Sequence, residues 1–503
     1  MVSEQYLANA AALGEHVVER LQQMTVGIKD DSKYNSANNS KSNSTNSTLS
    51  QSVISNLIGL GVGKIIHQTS ESYSKLNKYN KKDSHNVNNG ILFSIARHID
   101  SSVQSLEEAI MLISPRTTYI SSTGKSSNGI SQNDLSSAEL IIDCDIYRNK
   151  SEHFLREKDN GYKLAYEFIL GAILADEARK KVHSFCEFEQ KNENNTVVEI
   201  NLPTIFEKSA TKISSRPIKR ALVIGAGGLG TYCTAVLAQR EIPQIILYDP
   251  DVVEMKNLNR QLLYTNCIGE KKAEVLAARL STEKTQIIPV SKLFGPESIS
   301  DPQINQQNQK IDAIYCCTDT LESRLFVSDF ASQRKIPVSE GACTASLGSI
   351  TNYIPGITQT IAQQKNLKQL VELNRTRNLQ LQNQPQRSAS CIRSANPSII
   401  GPNTIIGSLQ ALSLDYRYSG DSNSRDSTSG DCTSGNSTSS DSNRGHSNSD
   451  DSNAEKRLEN YPQVFLNLML NKKFSLGKDT SLKKDTSKNA SKNSLAKEAH
   501  EVL

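Results

Sequence analysis

Residues 219–251 constrain most strongly what this chain can fold into. They read KRALVIGAGGLGTYCTAVLAQREIPQIILYDPD, which predicts a short apolar strand, a glycine turn, a helix and a second strand. Gly225, Gly227 and Gly230 suit a tight turn, the close approach of a phosphate and the packing of the helix on the sheet. Asp249 ends the second strand, where a carboxylate can accept hydrogen bonds from ribose hydroxyls. The pattern therefore predicts a nucleotide-binding βαβ unit.

A second group of polar residues follows this unit. The run DPDVVEMKNLNRQ carries Asn257, Arg260 and Gln261, Lys272 comes next, and Asp319 ends a later apolar strand in IDAIYCCTDTLESR. Adenylating a carboxylate requires cations that neutralise the attacked α-phosphate and the departing pyrophosphate, and a carboxylate that can hold Mg²⁺. Hydride transfer needs none of these groups. The residues therefore favour ATP chemistry over an NAD-dependent oxidoreductase, which stays an alternative.

The motifs GAGGLG, DPDVVEMKNLNRQ, IGEKKAE and CCTDTLESR occur in this order between residues 218 and 415. Together they resemble the motifs of the ThiF/MoeB/HesA family, whose fold is shared by ubiquitin-activating enzymes. The resemblance implies an α/β fold with a Rossmann-like, mostly parallel sheet that binds ATP and Mg²⁺. It also implies that the activated carboxylate is the C-terminus of a ubiquitin-like or sulfur-carrier protein ending in Gly-Gly, and that the chain forms a homodimer.

The resemblance gives each motif residue an expected role. The residues expected to bind the nucleotide are Gly225, Gly227, Gly228, Gly230, Asp249, Asp251, Asn257, Arg260, Gln261 and Lys272. Those expected to act in catalysis are Arg260, Lys272, Asp319 and Cys391, with Asp319 also holding Mg²⁺. Asn257 and Gln261 have loop hydrogen bonding as an alternative role. Cys391, which could accept an acyl or sulfur group, has the alternative of an inert cysteine at a helix start.

Two features of the family are absent from the sequence. No pair of the nine cysteines has CxxC spacing, and the segment NYIPGITQTIAQQ stands where relatives carry the first zinc-binding pair, so no zinc is expected. The arginine-containing segment that usually precedes the module, and reaches the ATP of the partner subunit, is also absent. A non-catalytic partner subunit that keeps the fold, and an adenylating dehydratase of tRNA modification, therefore remain alternatives.

Composition and periodicity predict how the rest of the chain is divided. Polar Asn/Ser-rich tracts cannot bury enough apolar surface to order themselves, so they are expected to be disordered. The predicted segments are an N-terminal helix (1–29), a disordered linker (30–56), an N-terminal domain of unassigned role (57–215), the ThiF-like domain (216–418), a low-complexity insertion (419–455), an edge strand returning to the ThiF-like domain (456–472) and a basic flexible tail (473–503).

The N-terminal domain, α/β or mainly helical, allows two interpretations. The default is a family-specific substrate or dimerisation domain. The alternative is a degenerate first copy of the module, because IIDCD (141–145) resembles CCTD and GAILADEARKK (171–181) resembles GSLQALSLDYR (407–417). Against this copy, GLGVGK (59–64) is the one candidate glycine loop in the region, and no acid-ended strand follows it at the right distance.

The bulk composition limits the remaining classes. A net charge of +4 gives little support to nucleic-acid binding, with tRNA kept open only by the dehydratase alternative. No apolar run approaches the roughly 20 residues of a membrane helix, and no charged start precedes an apolar core as in a signal peptide. A cytoplasmic protein with reduced thiols and no membrane partner is the expectation.

Overall fold

The structure is a computed structural model that describes residues 2–30, 48–69, 91–103, 105–123, 134–147, 159–186, 217–305, 310–382, 397–414 and 464–467. Its helices are α1 (Leu7–Leu13), α2 (Glu15–Gln23), α3 (Thr48–Leu60), α4 (Ile91–Ile99), α5 (Leu106–Ile113), α6 (Asn160–Cys186), α7 (Gly228–Gln239), α8 (Lys272–Leu280), α9 (Leu321–Arg334), α10 (Ile361–Gln364), α11 (Leu367–Gln382) and α12 (Ile400–Ser413). Its strands are β1 (Thr25–Asp30), β2 (Lys64–Thr69), β3 (Thr118–Thr123), β4 (Leu140–Asp143), β5 (Arg220–Ile224), β6 (Gln244–Tyr248), β7 (Gln286–Val290), β8 (Ala313–Cys316), β9 (Val338–Thr344), β10 (Leu347–Tyr353) and β11 (Val464–Asn467). None of these helices is both long and apolar enough to cross a membrane.

The second half of the chain forms a seven-stranded, mostly parallel sheet in the order β11-β10-β9-β8-β5-β6-β7. Strands β5 to β9 run parallel, whereas β10 and β11 add an antiparallel edge. All five residues of β5 are buried, as expected for a central strand covered by helices on both faces. The Rossmann-like α/β fold is therefore confirmed, and the stretch for which the sequence predicts an edge strand holds β11.

The first half of the chain forms a four-stranded parallel sheet in the order β3-β2-β1-β4. This matches the order β7-β6-β5-β8 of the larger sheet, strand for strand. In the described residues, α3 lies between the first two strands of the small sheet, as α7 does in the large one. The shared order favours a degenerate first copy of the module over an unrelated substrate or dimerisation domain, because the two sequences that resemble each other lie at the carboxyl ends of β4 and β8.

The GLGVGK segment does not form a nucleotide loop. Such a loop connects a strand to the helix that follows it, but these residues lie where α3 ends and β2 begins. Gly61 has a φ of +95°, and a side chain at Gly63 would collide with the carbonyl oxygen of Gln22. These glycines therefore serve a helix-to-strand turn and close packing on α2.

Three predicted boundaries in this half need correction. The N-terminal helix is broken into α1 and α2 at Gly14, whose φ of +91° no helix tolerates. The predicted linker 30–56 is too long, since α3 begins at Thr48; the polar tract 31–47 lies outside the described residues. The segment AELIIDCD (138–145) has the apolar run of a buried strand, but the strand spans only Leu140–Asp143, and as an edge strand it leaves Ile141 52% exposed.

A layer of four helices lies between the two sheets. In the N-terminal half α3 packs on α6, and in the second half α7 packs on α12. The two pairs contact each other through α6 and α12. The apolar core is continuous across this layer. Glycines permit the close approach: a Cβ at Gly407 would lie 2.5 Å from the carbonyl oxygen of Leu229, and a Cβ at Gly161 would collide with Arg240.

We predict that Gly407→Val lowers the free energy of unfolding by about 2 kcal/mol or more, because the added branches must push α12 away from the α7 backbone. Chemical denaturation measures the change. Gly295→Val is the matched control, since a Cβ there meets nothing within 4 Å and its φ of −154° suits a β-branched residue. Equal stability of the two variants would contradict the close packing of α7 and α12.

Candidate nucleotide-binding site

The carboxyl ends of β5, β6 and β8 lie side by side. The Gly225 N–H donates to the Tyr248 carbonyl oxygen at 2.8 Å, and the Cys317 N–H donates to the Ile224 carbonyl oxygen at 2.8 Å. The loops that follow the three strands therefore begin from one fixed edge. Because β6 and β8 flank β5, the chain reverses direction across the sheet here, which is where open α/β sheets form their ligand crevice.

The glycine turn closes tightly on one side and stays open on the other. Gly225 has a φ of +98°, and a Cβ there would lie 2.8 Å from the Cys317 carbonyl oxygen. A Cβ at Gly230 would collide with the carbonyl oxygen of Gly225, whereas one at Gly227 would meet only the Gln261 amide at 4.0 Å. The open side at Gly227 gives a ligand access to the backbone.

Helix α7 begins at this open side. Gly227 is its N-cap and no side chain caps it, so the first N–H groups of a twelve-residue helix point toward the crevice without a side-chain acceptor. Such a helix start attracts phosphate oxygens. Gly228 has a second reason to be glycine, because a Cβ there would collide with the Asn403 side chain on α12.

Asp249 connects the end of β6 to the glycine turn. Its buried carboxylate accepts the Ala226 N–H at 2.6 Å through Oδ2 and the Asp251 N–H at 2.9 Å through Oδ1. Burial raises the pKa of Asp249 above its ordinary value, although both N–H donors and the Lys272 charge oppose the rise. Each carboxylate oxygen can accept a further hydrogen bond, as the ribose interaction predicted for Asp249 requires.

Lys272 lies beside this carboxylate at the start of α8. Its backbone N–H donates to the Asp251 carbonyl oxygen at 3.1 Å, and its Nζ lies 2.9 Å from Asp251 Oδ2. Lys272 is buried while the Asp251 side chain is exposed. The lysine thus points from the protein interior to the mouth of the crevice, where a phosphate oxygen can replace the exposed carboxylate.

Arg260 and Asp319 lie on different loops, near enough for their charges to interact. Arg260 donates through Nη1 to the Asn259 Oδ1 at 2.8 Å and the Lys256 carbonyl oxygen at 3.1 Å. Burial lowers the pKa of Arg260, and the nearby Asp319 carboxylate acts in the opposite direction. The guanidinium still stays protonated at any physiological pH. Asp319 is exposed in the loop between β8 and α9.

The three remaining predicted residues differ in outcome. Asn257 Oδ1 accepts the Glu254 N–H at 3.0 Å, which is the loop hydrogen bond given as its alternative role. Gln261 is buried beside Gly227, and its Oε1 has no hydrogen-bond partner among the described residues, which favours a ligand over a loop role. Cys391 lies outside the described residues.

These features fit a nucleotide phosphate group. The uncapped start of α7 and the open face of Gly227 border the same crevice and offer N–H donors to phosphate oxygens. The Gln261 Oε1 beside them is an acceptor, which suits a ligand hydroxyl rather than a phosphate oxygen. Within the described ranges, no three His, Cys, Asp or Glu side chains gather into a metal cage. Mg²⁺ with a nucleotide commonly takes one or two carboxylates together with phosphate oxygens and water, and Asp319 can supply such a carboxylate.

Sequence reasoning missed a buried ion network behind Asp319. Glu340 is 1% exposed and lies opposite Cys316 in the register of β8 and β9. Its Oε1 lies 3.3 Å from Arg324 Nη1 and its Oε2 lies 2.5 Å from Lys365 Nζ. Arg324 Nε in turn donates to the Thr318 carbonyl oxygen at 3.1 Å. The network therefore anchors the loop that carries Asp319. The sequence signal for it was Glu340, a charged residue inside the otherwise uncharged strand segment VSEGA.

A capping box organises the segment that lacks the zinc-binding cysteines. The Gln363 N–H donates to Thr360 Oγ1 at 3.3 Å, and the Thr360 N–H donates to Gln363 Oε1 at 3.0 Å. These two reciprocal bonds start α10. The short helix is followed directly by Lys365, so the cap helps to deliver that lysine to Glu340.

Comparison with known proteins identifies relatives of the second half of the chain. Residues 196–430 match the model of the ThiF family. The chain is 32% identical over 142 residues to the sulfur carrier protein ThiS adenylyltransferase of Bacillus subtilis (strain 168), covering 28% of this chain and 41% of the relative. It is 28% identical over 190 residues to the adenylyltransferase and sulfurtransferase MOCS3 of Aedes aegypti, covering 36% and 43%. It is 28% identical over 139 residues to the SAMP-activating enzyme E1 of Haloferax volcanii, covering 27% and 50%.

The mostly parallel sheet and its covering helices define an α/β domain of ThiF/MoeB type. The family match assigns residues 196–430 to a ThiF family domain. The matched region spans about half or less of the length of these relatives.

We predict that Glu340→Gln destabilises the protein by about 3 kcal/mol at pH 7, because it leaves the buried Arg324 and Lys365 without their counter-charge. Burial raises the pKa of Glu340, but the two cations outweigh this and hold it below its ordinary value of 4.5. A lowered folded-state pKa gives stability that is present above the ordinary value and lost as the pH falls through the folded-state value.

Urea denaturation across pH measures this effect. The difference between wild type and Glu340→Gln should be constant near neutrality and shrink as the pH falls below about 4.5. Glu297→Gln, at an exposed carboxylate, should leave stability within about 0.5 kcal/mol of wild type. A Glu340→Gln protein as stable as this control at pH 7 would show that the network does not hold the loop.

Proposed function

We propose that this chain uses ATP to adenylate a carboxylate, releasing pyrophosphate. The observation that carries the proposal is the convergence of an uncapped helix start, Arg260, Lys272 and Asp319 on the crevice at the ends of β5, β6 and β8. A dinucleotide that binds without phosphate chemistry needs the glycine turn and Asp249. Dinucleotide binding gives no reason for Arg260, Lys272 and the exposed Asp319 to lie at the same edge.

The reaction balances without a protein base. A carboxylate oxygen attacks the α-phosphorus, a new O–P bond forms, and the bond from the α-phosphorus to the bridging oxygen breaks as pyrophosphate leaves with that oxygen. The attacking carboxylate is already ionised at neutral pH. Positioning and charge stabilisation therefore carry the catalysis. When bound, Mg²⁺ would neutralise charge on the departing pyrophosphate, with Asp319 as its protein ligand.

The two cations have different tasks in this proposal. Lys272, held over the end of β6, would exchange Asp251 for a phosphate oxygen when the nucleotide enters. This exchange is inexpensive, because an ion pair with an exposed carboxylate contributes little stability. Arg260, held by Asn259 near Asp319, would meet the phosphates from the opposite side.

A protein ending in Gly-Gly is the proposed source of the carboxylate. The names of two relatives mention ThiS, a sulfur carrier, and SAMP activation, which supports a small carrier protein as the class. A small-molecule or tRNA-borne carboxylate is the competing outcome. Mg²⁺-dependent ATP–pyrophosphate exchange distinguishes these two sources of the carboxylate. The assay compares a panel of small proteins ending in Gly-Gly with truncated forms that lack both glycines.

We predict that Asp319→Ala lowers Mg²⁺-dependent exchange by about 100-fold or more, since it removes the carboxylate proposed to hold the metal. The melting temperature should stay unchanged, because Asp319 is exposed and lies outside the core. Asp329→Ala, at an exposed acid on α9, is the matched control and should keep full exchange.

Full exchange by Asp319→Ala would reject the role given to this residue. ATP binding by the wild type with no exchange for any carboxylate would identify a non-catalytic partner subunit instead. Binding of NADH without ATP would identify an oxidoreductase.

Monomeric assembly is a further part of the proposal, in place of the homodimer implied by the resemblance. The resemblance implies a site near a dimer interface, whereas in this chain the N-terminal half lies against the candidate site: Asn9 contacts Asn259 in the NLNRQ run. The packing of α6 on α12 also means that the first half of the chain covers the helices of the second half. We predict a mass near 55.3 kDa by light scattering, whereas a species of twice that mass would restore the dimer.

A further inference from the structure

Helix α1 of the N-terminal half lies directly on the NLNRQ run of the candidate site. Asn9 is fully buried, and its Oδ1 accepts a hydrogen bond from Asn259 Nδ2 at 2.6 Å, although 250 positions separate the two residues. Helix α3 contacts the same place, since a Cβ at Gly59 would lie 2.6 Å from the Asn259 carbonyl oxygen. The N-terminal half therefore touches the residue immediately before Arg260.

The orientation of the Asn9 amide is dictated by the end of α3. Asn9 Nδ2 donates to the carbonyl oxygens of Gly59 at 2.8 Å and Leu60 at 3.3 Å. Carbonyls of a last helical turn have no partner within the helix and can only accept. The amide nitrogen of Asn9 must face them, so its Oδ1 must face Asn259.

The orientation of Asn259 follows from that of Asn9. Because Asn9 presents an acceptor, Asn259 must present its Nδ2, which also donates to the Ser398 carbonyl oxygen at 3.1 Å. Its Oδ1 is then turned to the other side, where it accepts Arg260 Nη1 at 2.8 Å. Each amide has one orientation that satisfies its neighbours. The donors and acceptors of the hydrogen bonds that run from α3 through Asn9 and Asn259 to Arg260 are therefore fixed.

We infer that Asn9 and Asn259 are positioning residues through which the N-terminal half sets the guanidinium of Arg260 for the phosphates. The inference rests on the proposed function, in which Arg260 meets the triphosphate. The contacts to Asn259 and Lys256 use one terminal nitrogen of the guanidinium and hold it beside Asp319. A nucleotide then meets an arginine whose orientation is already fixed, which reduces the entropic cost of binding.

Equilibrium binding of MgATP and of adenosine to the full chain tests the inference, with calorimetry as the readout. Asn9→Ala should weaken MgATP binding by about 5- to 10-fold, the size expected for loss of one buried hydrogen bond between Asn9 and Asn259. Adenosine affinity should not change, because adenosine has no phosphates for Arg260 to meet. A purely structural role would weaken both ligands or neither.

Tyr6→Phe is the matched control. The buried Tyr6 hydroxyl donates to the Ile58 carbonyl oxygen at 3.0 Å, so the variant also removes a hydrogen bond between the N-terminal segment and the end of α3. The Tyr6 hydroxyl is directed at Ile58 and not at the Asn259 amide, so the variant should bind MgATP like the wild type. Equal loss of MgATP affinity in Tyr6→Phe and Asn9→Ala would overturn the inference.

Asn259→Ala keeps the test decisive if Asn9→Ala does not fold. It should weaken MgATP binding as Asn9→Ala does and leave adenosine binding unchanged. Where both single variants fold, the double variant should lose no more MgATP affinity than either one, because both substitutions break the same series of hydrogen bonds. Additive losses or an unchanged MgATP affinity would overturn the inference. If the wild type itself binds MgATP no more tightly than adenosine, the proposed phosphate site fails instead, and the two failures are thereby distinguished.

Discussion

The candidate site depends on one constraint: three parallel strands end side by side at the point where the strand order reverses. Backbone hydrogen bonds between Gly225 and Tyr248, and between Cys317 and Ile224, fix the starting positions of three loops. Those loops carry the glycine turn, Asp249 and Asp319, which are nearly a hundred residues apart in the chain. Buried strands tolerate little movement, so the groups converge without help from a ligand.

Behind this edge, buried polar and charged side chains hold two of the loops. The loop of Asp319 is tied through Arg324 and Glu340 to Lys365, and the NLNRQ run is tied through Asn259 to Asn9. One network ends beside Asp319, the proposed Mg²⁺ ligand, and the other ends at Arg260, which is proposed to meet the phosphates. Supporting shells of this kind determine how well a site is pre-organised.

The two halves of the chain share a strand order, but they differ in the segment after the first strand. In the second half, β5 leads into the glycine turn and the start of α7. In the first half, the glycines of GLGVGK lie at the opposite end of the corresponding helix and serve packing. Through Asn9 the first half contacts the site of the second, which gives a structural reason for the chain to keep both.

Sequence alone predicted the central module because its signals are local. The apolar run of β5, the glycine turn and Asp249 follow one another within 30 residues, and each has a simple physical reason. The parallel sheet of the first half was not predicted, since β3 is the polar stretch TYISST and β4 is an edge strand of four residues. The pairs Glu340–Lys365 and Asn9–Asn259 join residues 25 and 250 positions apart, and no local pattern marks such a pairing.

A crystal structure of the full chain with Mg²⁺ and a non-hydrolysable ATP analogue is the decisive measurement for the proposed phosphate site. We expect the triphosphate to lie over Gly227 and the start of α7, with Arg260 and Lys272 in contact with phosphate oxygens. We also expect Asp319 to lie within coordinating distance of the metal, directly or through a water. A nucleotide whose phosphates lie away from these three residues would contradict the proposed site.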